Sequence, residues 1–339
     1  MAKPTKRDKK TTEAEVDNYG GGGATGSSSG APGVVAFDRK QRASGPEKHV
    51  KPSYQDESHA PRRKTLDKLK LPSYCLGDLS PLDIKEYLKY SDTILVPKAS
   101  LEQHGPHLPM NCDVAIPTAI AERVARRLGG FVAPPIAYGY KSQPKSGGGN
   151  HFPGTTSLDG VTLIMTIRDV IKEFARHGVR KMTVMVGHYE NTMFVIEGID
   201  LALRDLRADD IRDMRIVRVD YWDFTSAETI RKVWGDAFPG WATEHAGVME
   251  TSIMLHLFPH LVDMTKVPMH PPAAFPPYDV YPVNPAWVPS SGALCSAKIA
   301  SGDKGAVFVD EYVRGIARAL SKEFGVVEVA AKDKRDAAE

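Results

Sequence analysis

Potential metal ligands are concentrated between residues 102 and 113 of this 339-residue chain. Glu102 and His104 are separated by one residue, and in extended backbone such side chains point to the same side. The Gly105-Pro106 pair that follows predicts a turn, which lets Asp113 return toward the same point. Carboxylate and imidazole groups together suit Zn²⁺ or Mn²⁺. We therefore predict a metal site that includes Glu102, His104 and Asp113.

A second cluster repeats this spacing, because His188 and Glu190 are again one residue apart. A single pair of this kind usually lies on the surface or forms a satisfied pair in the core. Five candidates in two clusters, each predicted at a strand end, instead favour a site for two ions. A carboxylate that bridges ions about 3.5–4 Å apart leaves room for a shared hydroxide, the usual nucleophile of two-metal hydrolases.

Two further stretches could contact a small ligand. The glycine-rich run after Ser146 lacks the Gly-Lys-Ser/Thr of a phosphate-binding loop, so we interpret it as a flexible loop that brings Ser146 close to a ligand. His151 in this loop is either a ligand or a structural hydrogen-bonding residue. Glu244 and His245 precede a predicted helix: either His245 acts as a general acid or base tuned by Glu244, or both cap the helix. Cys112 has no identifiable base, which argues against a nucleophilic role.

The apolar pattern places both ligand clusters in an α/β fold, because strand-like runs alternate with helical segments. The predicted strands are 93–97, 131–136, 181–186 and 214–219, and the predicted helices are a short one capped by Ser80 and the segments 116–128, 159–177, 191–206, 246–257 and 306–324. This alternation predicts a single three-layer domain with a mostly parallel sheet flanked by helices. Both clusters follow the carboxyl ends of predicted strands, where sites on such sheets lie.

Composition divides the chain into three parts. Residues 1–70 contain 15 Lys and Arg against 9 Asp and Glu and are rich in Gly, Ser and Pro, which predicts a disordered basic N-terminal arm. Residues 71–328 are the predicted folded domain, and residues 329–339 are a charged C-terminal tail. Acidic residues are interleaved in the arm and aromatic residues are few, which argues against nucleic-acid binding and favours a solubilising tail.

Cysteine usage and hydropathy indicate a compartment. Three widely spaced cysteines predict neither a disulfide framework nor a zinc ribbon, and they favour a reducing environment. No apolar run approaches the roughly 18 residues of a membrane span. The charged start of the chain is not followed by a hydrophobic signal segment. We therefore expect a cytoplasmic protein without a membrane span.

Several of these motifs together resemble the creatininase (creatinine amidohydrolase) family. The similar segments include Glu-Gln-His-Gly-Pro-His-Leu-Pro at 102–109, Phe-Pro-Gly-Thr at 152–155, Gly-His-Tyr-Glu-Asn at 187–191 and His-Ala-Gly at 245–247. The resemblance extends from about residue 92 to residue 324 and excludes the arm. It implies a creatininase-like fold and hydrolysis of a cyclic amide, most closely creatinine and water to creatine in a reversible reaction, by a hydroxide bridging two metal ions. It also implies a homo-oligomer, since family members commonly form hexamers.

The resemblance implies how the ligands are shared between the two ions. One ion would be bound by Glu102, Asp113 and His188, and the other by His104, Asp113 and Glu190. Asp113 would then bridge them. The expected ions are zinc, with manganese or magnesium possible at one position.

The resemblance further implies which residues act on the substrate. His245 and Glu190 would be catalytic, with His245 transferring the proton. The small-molecule substrate would contact Ser146, Tyr189, Trp222, Trp241 and Glu244, although residue type alone favours a core position for the two tryptophans.

Two other functions fit the sequence. Ala242 stands where the creatininase pattern has an acidic residue, so the first alternative is an amidohydrolase of the same family that acts on another lactam, a hydantoin or a formamide-type substrate. The second is a non-catalytic binding protein that uses the basic arm to contact nucleic acid or an acidic partner. The two ligand clusters favour an enzyme over this last function.

Overall fold

The computed structural model describes residues 73–328, so the predicted arm and tail lie outside the described residues. The helices are α1 (Pro81–Tyr87), α2 (Cys112–Leu128), α3 (Pro144–Gly147), α4 (Gly160–Arg176), α5 (Thr192–Ala208), α6 (Ala227–Trp234), α7 (Val248–Leu257) and α8 (Gly302–Phe324). The strands are β1 (Thr93–Lys98), β2 (Phe131–Val132), β3 (Gly139–Tyr140), β4 (Ser157–Leu158), β5 (Lys181–Val186) and β6 (Arg215–Asp220). None of the helices within 73–328 combines the length and hydropathy that a bilayer crossing needs.

The main sheet has the strand order β2-β1-β5-β6, and all of its strands are parallel. Thr93 of β1 is paired with Lys181 of β5, and Lys181 is paired with Arg215 of β6, so the three long strands start in register. Strands β3 and β4 form a separate two-stranded parallel sheet. Because the long strands are in register, the loops that follow them emerge at one edge of the sheet.

Helices cover both faces of the main sheet, which confirms the predicted three-layer α/β fold. Ile94 and Val96 of β1 pack in a buried cluster with residues of α4 and α5. Leu95, between them, packs in a second cluster with residues of α2, α7 and α8. Successive side chains of a strand point to opposite faces, so β1, which is buried along its whole length, must be covered on both sides.

The structure confirms the predicted start of one helix and revises the start of another. The predicted start of α1 is confirmed: Ser80 accepts a hydrogen bond from the Asp83 backbone and forms a capping box. By contrast, α2 begins at Cys112, four residues before the predicted start, and therefore includes Asp113 in its first turn. Pro117, a residue type that favours the first turn of a helix, instead lies inside α2.

Among the other elements, α8 begins at Gly302 instead of residue 306, and α3, which contains Ser146, was not predicted, nor were β3 and β4. Two further differences have a local explanation. The predicted strand 131–136 is reduced to Phe131–Val132 because Pro134 and Pro135 have no backbone N–H to donate to a neighbouring strand. The short helix α6 was not predicted, although Ser226 caps it by accepting a hydrogen bond from the Thr229 backbone. Neither difference changes the edge of the sheet at which the ligand clusters meet.

Candidate active site

The structure brings the five predicted ligands together at the carboxyl edge of the main sheet. Glu102 and His104 lie in the segment after β1, and His188 and Glu190 follow β5. Asp113 reaches the same place from the first turn of α2. Glu102, His104, Asp113 and His188 are buried, and Glu190 is partly exposed.

One group of ligand atoms surrounds His188. Its Nδ1 lies 3.0 Å from Glu102 Oε2 and 3.1 Å from Asp113 Oδ2. Its Nε2 lies 3.4 Å from Glu190 Oε2 and 3.0 Å from the carbonyl oxygen of Tyr140. Glu102, His188 and Glu190 thus form one potential metal-binding group.

A second group surrounds His104 and includes a carboxylate that the sequence reading missed. His104 Nε2 lies 3.0 Å from Asp113 Oδ1 and 3.5 Å from Glu250 Oε1. Glu250 is buried in the first turn of α7. A carboxylate inside an otherwise largely apolar helix is the sequence signal that could have identified it.

The resemblance implies a different partition, in which Glu190 shares an ion with His104. In the structure Glu190 lies with Glu102 and His188, whereas His104 lies both with Asp113 and Glu250 and with Glu102 and His245. The other carboxylate oxygen of Glu190, Oε1, accepts a hydrogen bond from the Gln143 backbone N–H at 2.8 Å. Asp113 directs one oxygen toward each histidine, as a bridging residue would.

Burial and charge oppose each other in this site. Burial raises the pKa of Glu102 to about 7, although His188 acts in the opposite direction. Burial also acts on Asp113, but the adjoining His104 and His188 outweigh it and hold the pKa of Asp113 below its ordinary value. Burial lowers the pKa of both histidines, yet their acidic neighbours prevail and the pKa of each lies well above the usual range. The concentration of carboxylates therefore favours cations.

The donor set fits divalent metal ions. Glu102 Oε1, His104 Nε2 and Asp113 Oδ2 are buried and have no partner with hydrogen-bond geometry among the described residues. Such atoms are costly in a folded protein unless a ligand satisfies them. Imidazole nitrogens and carboxylate oxygens suit zinc or manganese. Burial holds the pKa of the Cys112 thiol well above its usual range.

His245 and Glu244 have different roles at the entrance of α7. The Glu244 carboxylate accepts a hydrogen bond from the Met249 backbone N–H at 2.5 Å and contacts Cys295 Sγ at 3.6 Å, so it caps the helix. His245 does not cap it: its ring packs 4.5 Å from the His104 ring, and its Nε2 contacts the carbonyl oxygen of Gln103 at 3.0 Å. Burial, together with the nearby His104, holds the pKa of His245 well below its usual range.

The chain is similar to known creatinine amidohydrolases. The family model described as creatinine amidohydrolase matches residues 77–320. A creatinine amidohydrolase of Pseudomonas putida is 53% identical over 254 residues, which cover 74% of this chain and 98% of that protein. The chain belongs to the creatininase family.

Solved structures named as creatininases have the same fold. A variant creatininase complexed with creatine has a TM-score of 0.72 and 53% identity, covering 74% of this chain and 99% of that one. A variant of Zn–Zn type and a structure named for Mn have TM-scores of 0.74 and 0.73 at 52% identity, covering 75% and 74% of this chain and 99% of each of theirs.

The creatininase-family site opens into a pocket of about 760 Å³. The predicted substrate-contacting residues line it, namely Ser146, Tyr189, Trp222, Trp241 and Glu244, as does His245. The side chains of Trp241 and Tyr189 are 43% and 64% exposed, so Trp241 is not the core residue that its type favours. Ala242 also lines the pocket, whereas His151 is exposed, stacks on Phe152 and lies outside the ligand groups formed by the described residues.

Proposed function

We propose that this chain hydrolyses creatinine to creatine in a reversible reaction. The observation that carries the proposal is the pair of ligand groups that meet at Asp113 in a pocket bordered by His245. The family membership supports it, and so does the 53% identity to a creatinine amidohydrolase of which nearly the whole length is covered. One related structure is named as a complex with creatine, the proposed product.

The reaction adds one water molecule across the ring amide. An oxygen of water bonds to the ring carbonyl carbon, the ring C–N bond breaks, and the ring nitrogen keeps the bonding electrons and takes up a proton. Two divalent cations, zinc with manganese or magnesium possible at one position, would supply polarisation of the carbonyl and a lower pKa for water. Glu102, His188 and Glu190 would hold one cation, and His104, Asp113 and Glu250 would hold the other.

The remaining chemistry belongs to residues of the pocket. His245 would take the proton from water and return it to the ring nitrogen, as a general base and then a general acid. Ser146 Oγ donates a hydrogen bond to Glu190 Oε1 at 2.6 Å, which fixes the orientation of that carboxylate. Trp222 and Trp241 would cover the flat faces of a small ring.

Product formation from creatinine tests the proposal. Purified protein loaded with zinc or manganese would be incubated with creatinine, and creatine would be quantified together with the bound metal. We expect two ions per chain and turnover that stops when a chelator removes them. Two bound ions without any creatine would contradict the proposed substrate.

Ala242 is the reason to measure a second set of substrates. The alternative function, hydrolysis of another lactam, a hydantoin or a formamide, is favoured by the missing carboxylate at this position of the pocket. The same preparations would be assayed with that panel. A kcat/KM for any of these compounds above that for creatinine would select the alternative.

We further propose a homo-oligomer, a hexamer as the resemblance implies, in a reducing compartment such as the cytoplasm. Helices α4 and α5 expose Val161, Met165, Met193 and Ile196, which are available for self-association. Cys75, Cys112 and Cys295 are free thiols, which a reducing compartment would preserve. Light scattering should give six times the 37.1 kDa chain mass, and a monomer would contradict the proposal.

A further inference from the structure

Gln103 lies between two of the candidate ligands in sequence but belongs to neither ligand group. Its side chain is buried, and every one of its polar atoms has a partner. The side-chain Nε2 donates to the carbonyl oxygens of Gly147 and Gly292, each at 3.0 Å. Oε1 accepts from the Gly105 backbone N–H at 2.9 Å, and the Gln103 backbone N–H donates to Thr155 Oγ1 at 3.1 Å.

These contacts fix the orientation of the amide. Rotating it by half a turn would bring Oε1 against two carbonyl oxygens and Nε2 against an N–H group, so only the observed orientation is stable. A glutamine Nε2 has two hydrogens, and Gly147 and Gly292 take both. His245 Nε2 is also 3.0 Å from this nitrogen, but no hydrogen remains on the amide to be donated to it.

His245 must therefore be the donor in its contact with Gln103. His245 Nε2 lies 3.0 Å from the Gln103 carbonyl oxygen, which has no hydrogen to donate. An unprotonated Nε2 would place a lone pair against that oxygen, whereas Nε2–H forms a hydrogen bond. We propose that Gln103 is a positioning residue: its backbone carbonyl accepts from His245 and fixes the Nε2–H tautomer, and its side-chain amide anchors that carbonyl to the neighbouring loops. Nδ1 is then left as the nitrogen that exchanges the proton in the pocket. This inference rests on the proposed role of His245 in hydrolysis.

The glycines of the neighbouring loops provide the space that the Gln103 amide fills. A Cβ atom at Gly148 would lie 2.6 Å from Gln103 Nε2, and one at Gly292 would lie 1.9 Å from Oε1. Both glycines also have positive φ, of +78° and +82°. The glycine-rich run after Ser146 and the segment at Gly292 thus both border this amide.

The other ring nitrogen of His245 is left for chemistry. Among the described residues, Nδ1 makes no hydrogen bond, and the imidazole lines the same pocket as Glu102 and Glu250. A neutral imidazole that donates through Nε2 has its lone pair on Nδ1. The tautomer set by Gln103 therefore decides which nitrogen can accept a proton from water and return it to the leaving nitrogen.

Nitrogen-15 NMR of the zinc-loaded protein tests the tautomer directly. Protein labelled in its histidine rings would be compared with a His245→Asn variant, whose missing signals identify His245. We expect a hydrogen on Nε2 and none on Nδ1 in the wild type. A hydrogen on Nδ1 would overturn the proposal. This spectrum needs no substrate, so it remains decisive even if the protein does not hydrolyse creatinine.

Substitution of Gln103 tests whether its amide is responsible. Gln103→Met keeps the chain length and the backbone carbonyl that accepts from His245, but it removes the amide that anchors this carbonyl to Gly147 and Gly292. We expect it to mix the tautomers of His245 and lower kcat on the enzyme's substrate tenfold to hundredfold, with KM changed less than threefold. The control, Ile171→Ala, removes buried volume on the opposite face of the sheet and should leave the tautomer and kcat unchanged. An unaltered tautomer and kcat in Gln103→Met would refute the role, and the shorter Gln103→Asn gives the same test if the methionine variant does not fold.

Discussion

Substitution of Glu250 by Gln tests the grouping of the metal ligands. The Oε2 atom of Glu250 accepts a hydrogen bond from the Ala246 backbone N–H at 2.7 Å, and Oε1 is the oxygen that faces His104. In the variant, the amide oxygen is needed as the acceptor for Ala246, so the NH₂ group turns toward His104. A nitrogen with two hydrogens cannot bind a cation. The variant thus loses one of three ligands in the group and presents two donors in its place.

The loss of metal affinity in Glu250→Gln can be estimated from the losses that smaller changes cause. Altering a residue that merely orients a ligand costs about 10–100-fold in metal affinity. Loss of a direct ligand should exceed this, so we expect more than a hundredfold weaker binding of one ion, or at least ~2.8 kcal/mol at 1.4 kcal/mol per tenfold. Glu190→Gln should have an equal effect on the other ion, because its Oε1 is likewise held by a backbone N–H. It should also lower metal occupancy and abolish activity while the fold stays intact.

Competition with a chromogenic zinc chelator measures both affinities, with Glu197→Gln on the exposed surface of α5 as the control. The decisive comparison adds His188→Ala to each variant. Added to Glu190→Gln, His188→Ala should weaken metal binding little further, because the group that contains both residues is already disrupted. Added to Glu250→Gln, it should abolish binding of the remaining ion. If the extra loss is instead larger on Glu190→Gln, Glu190 belongs with His104 and the grouping is refuted.

Three further substitutions test other parts of the site. His245→Ala should keep both zinc affinities and lose about 10²–10⁴-fold in kcat; loss of metal in the chelator titration would instead make His245 a ligand. Burial raises the pKa of Glu244 to about 8 from 4.5, so this group stabilises the fold at low pH and that contribution is lost as pH rises between these values. In urea unfolding, the free energy of unfolding of the wild type should therefore fall with pH by up to ~1.4 kcal/mol per pH unit more than that of Glu244→Gln. Parallel pH profiles of the two proteins would contradict the assignment. Gly148 has φ +78° and lies against Gln103, so Gly148→Ala should lower the free energy of unfolding in urea by about 1–3 kcal/mol or more. The loss should exceed that of Gly325→Ala, where φ is +63° but the space is open. Equal losses would show that the contact with Gln103 is unimportant.

The sequence by itself determined the sheet and the positions of both ligand pairs. The apolar run that forms β5 is identical in the prediction and the structure, and β1 extends the predicted strand by one residue. Strand formation here depends on a local apolar pattern, and parallel strands in register bring their following loops together. Glu102, His104, His188 and Glu190 could therefore be expected to meet without knowledge of any helix packing.

Only the tertiary structure brought Glu250 beside His104 and Gln103 beside His245. Glu250 reaches His104 because α7 packs beside α2, and nothing in the local pattern of α7 specifies that contact. Gln103 meets His245 across 142 residues of sequence, between glycines whose function is evident only from the amide they enclose. Local periodicity determines which face of an element is buried, whereas the docking of two elements depends on the shapes of both, and this is why these contacts were not predictable from the sequence.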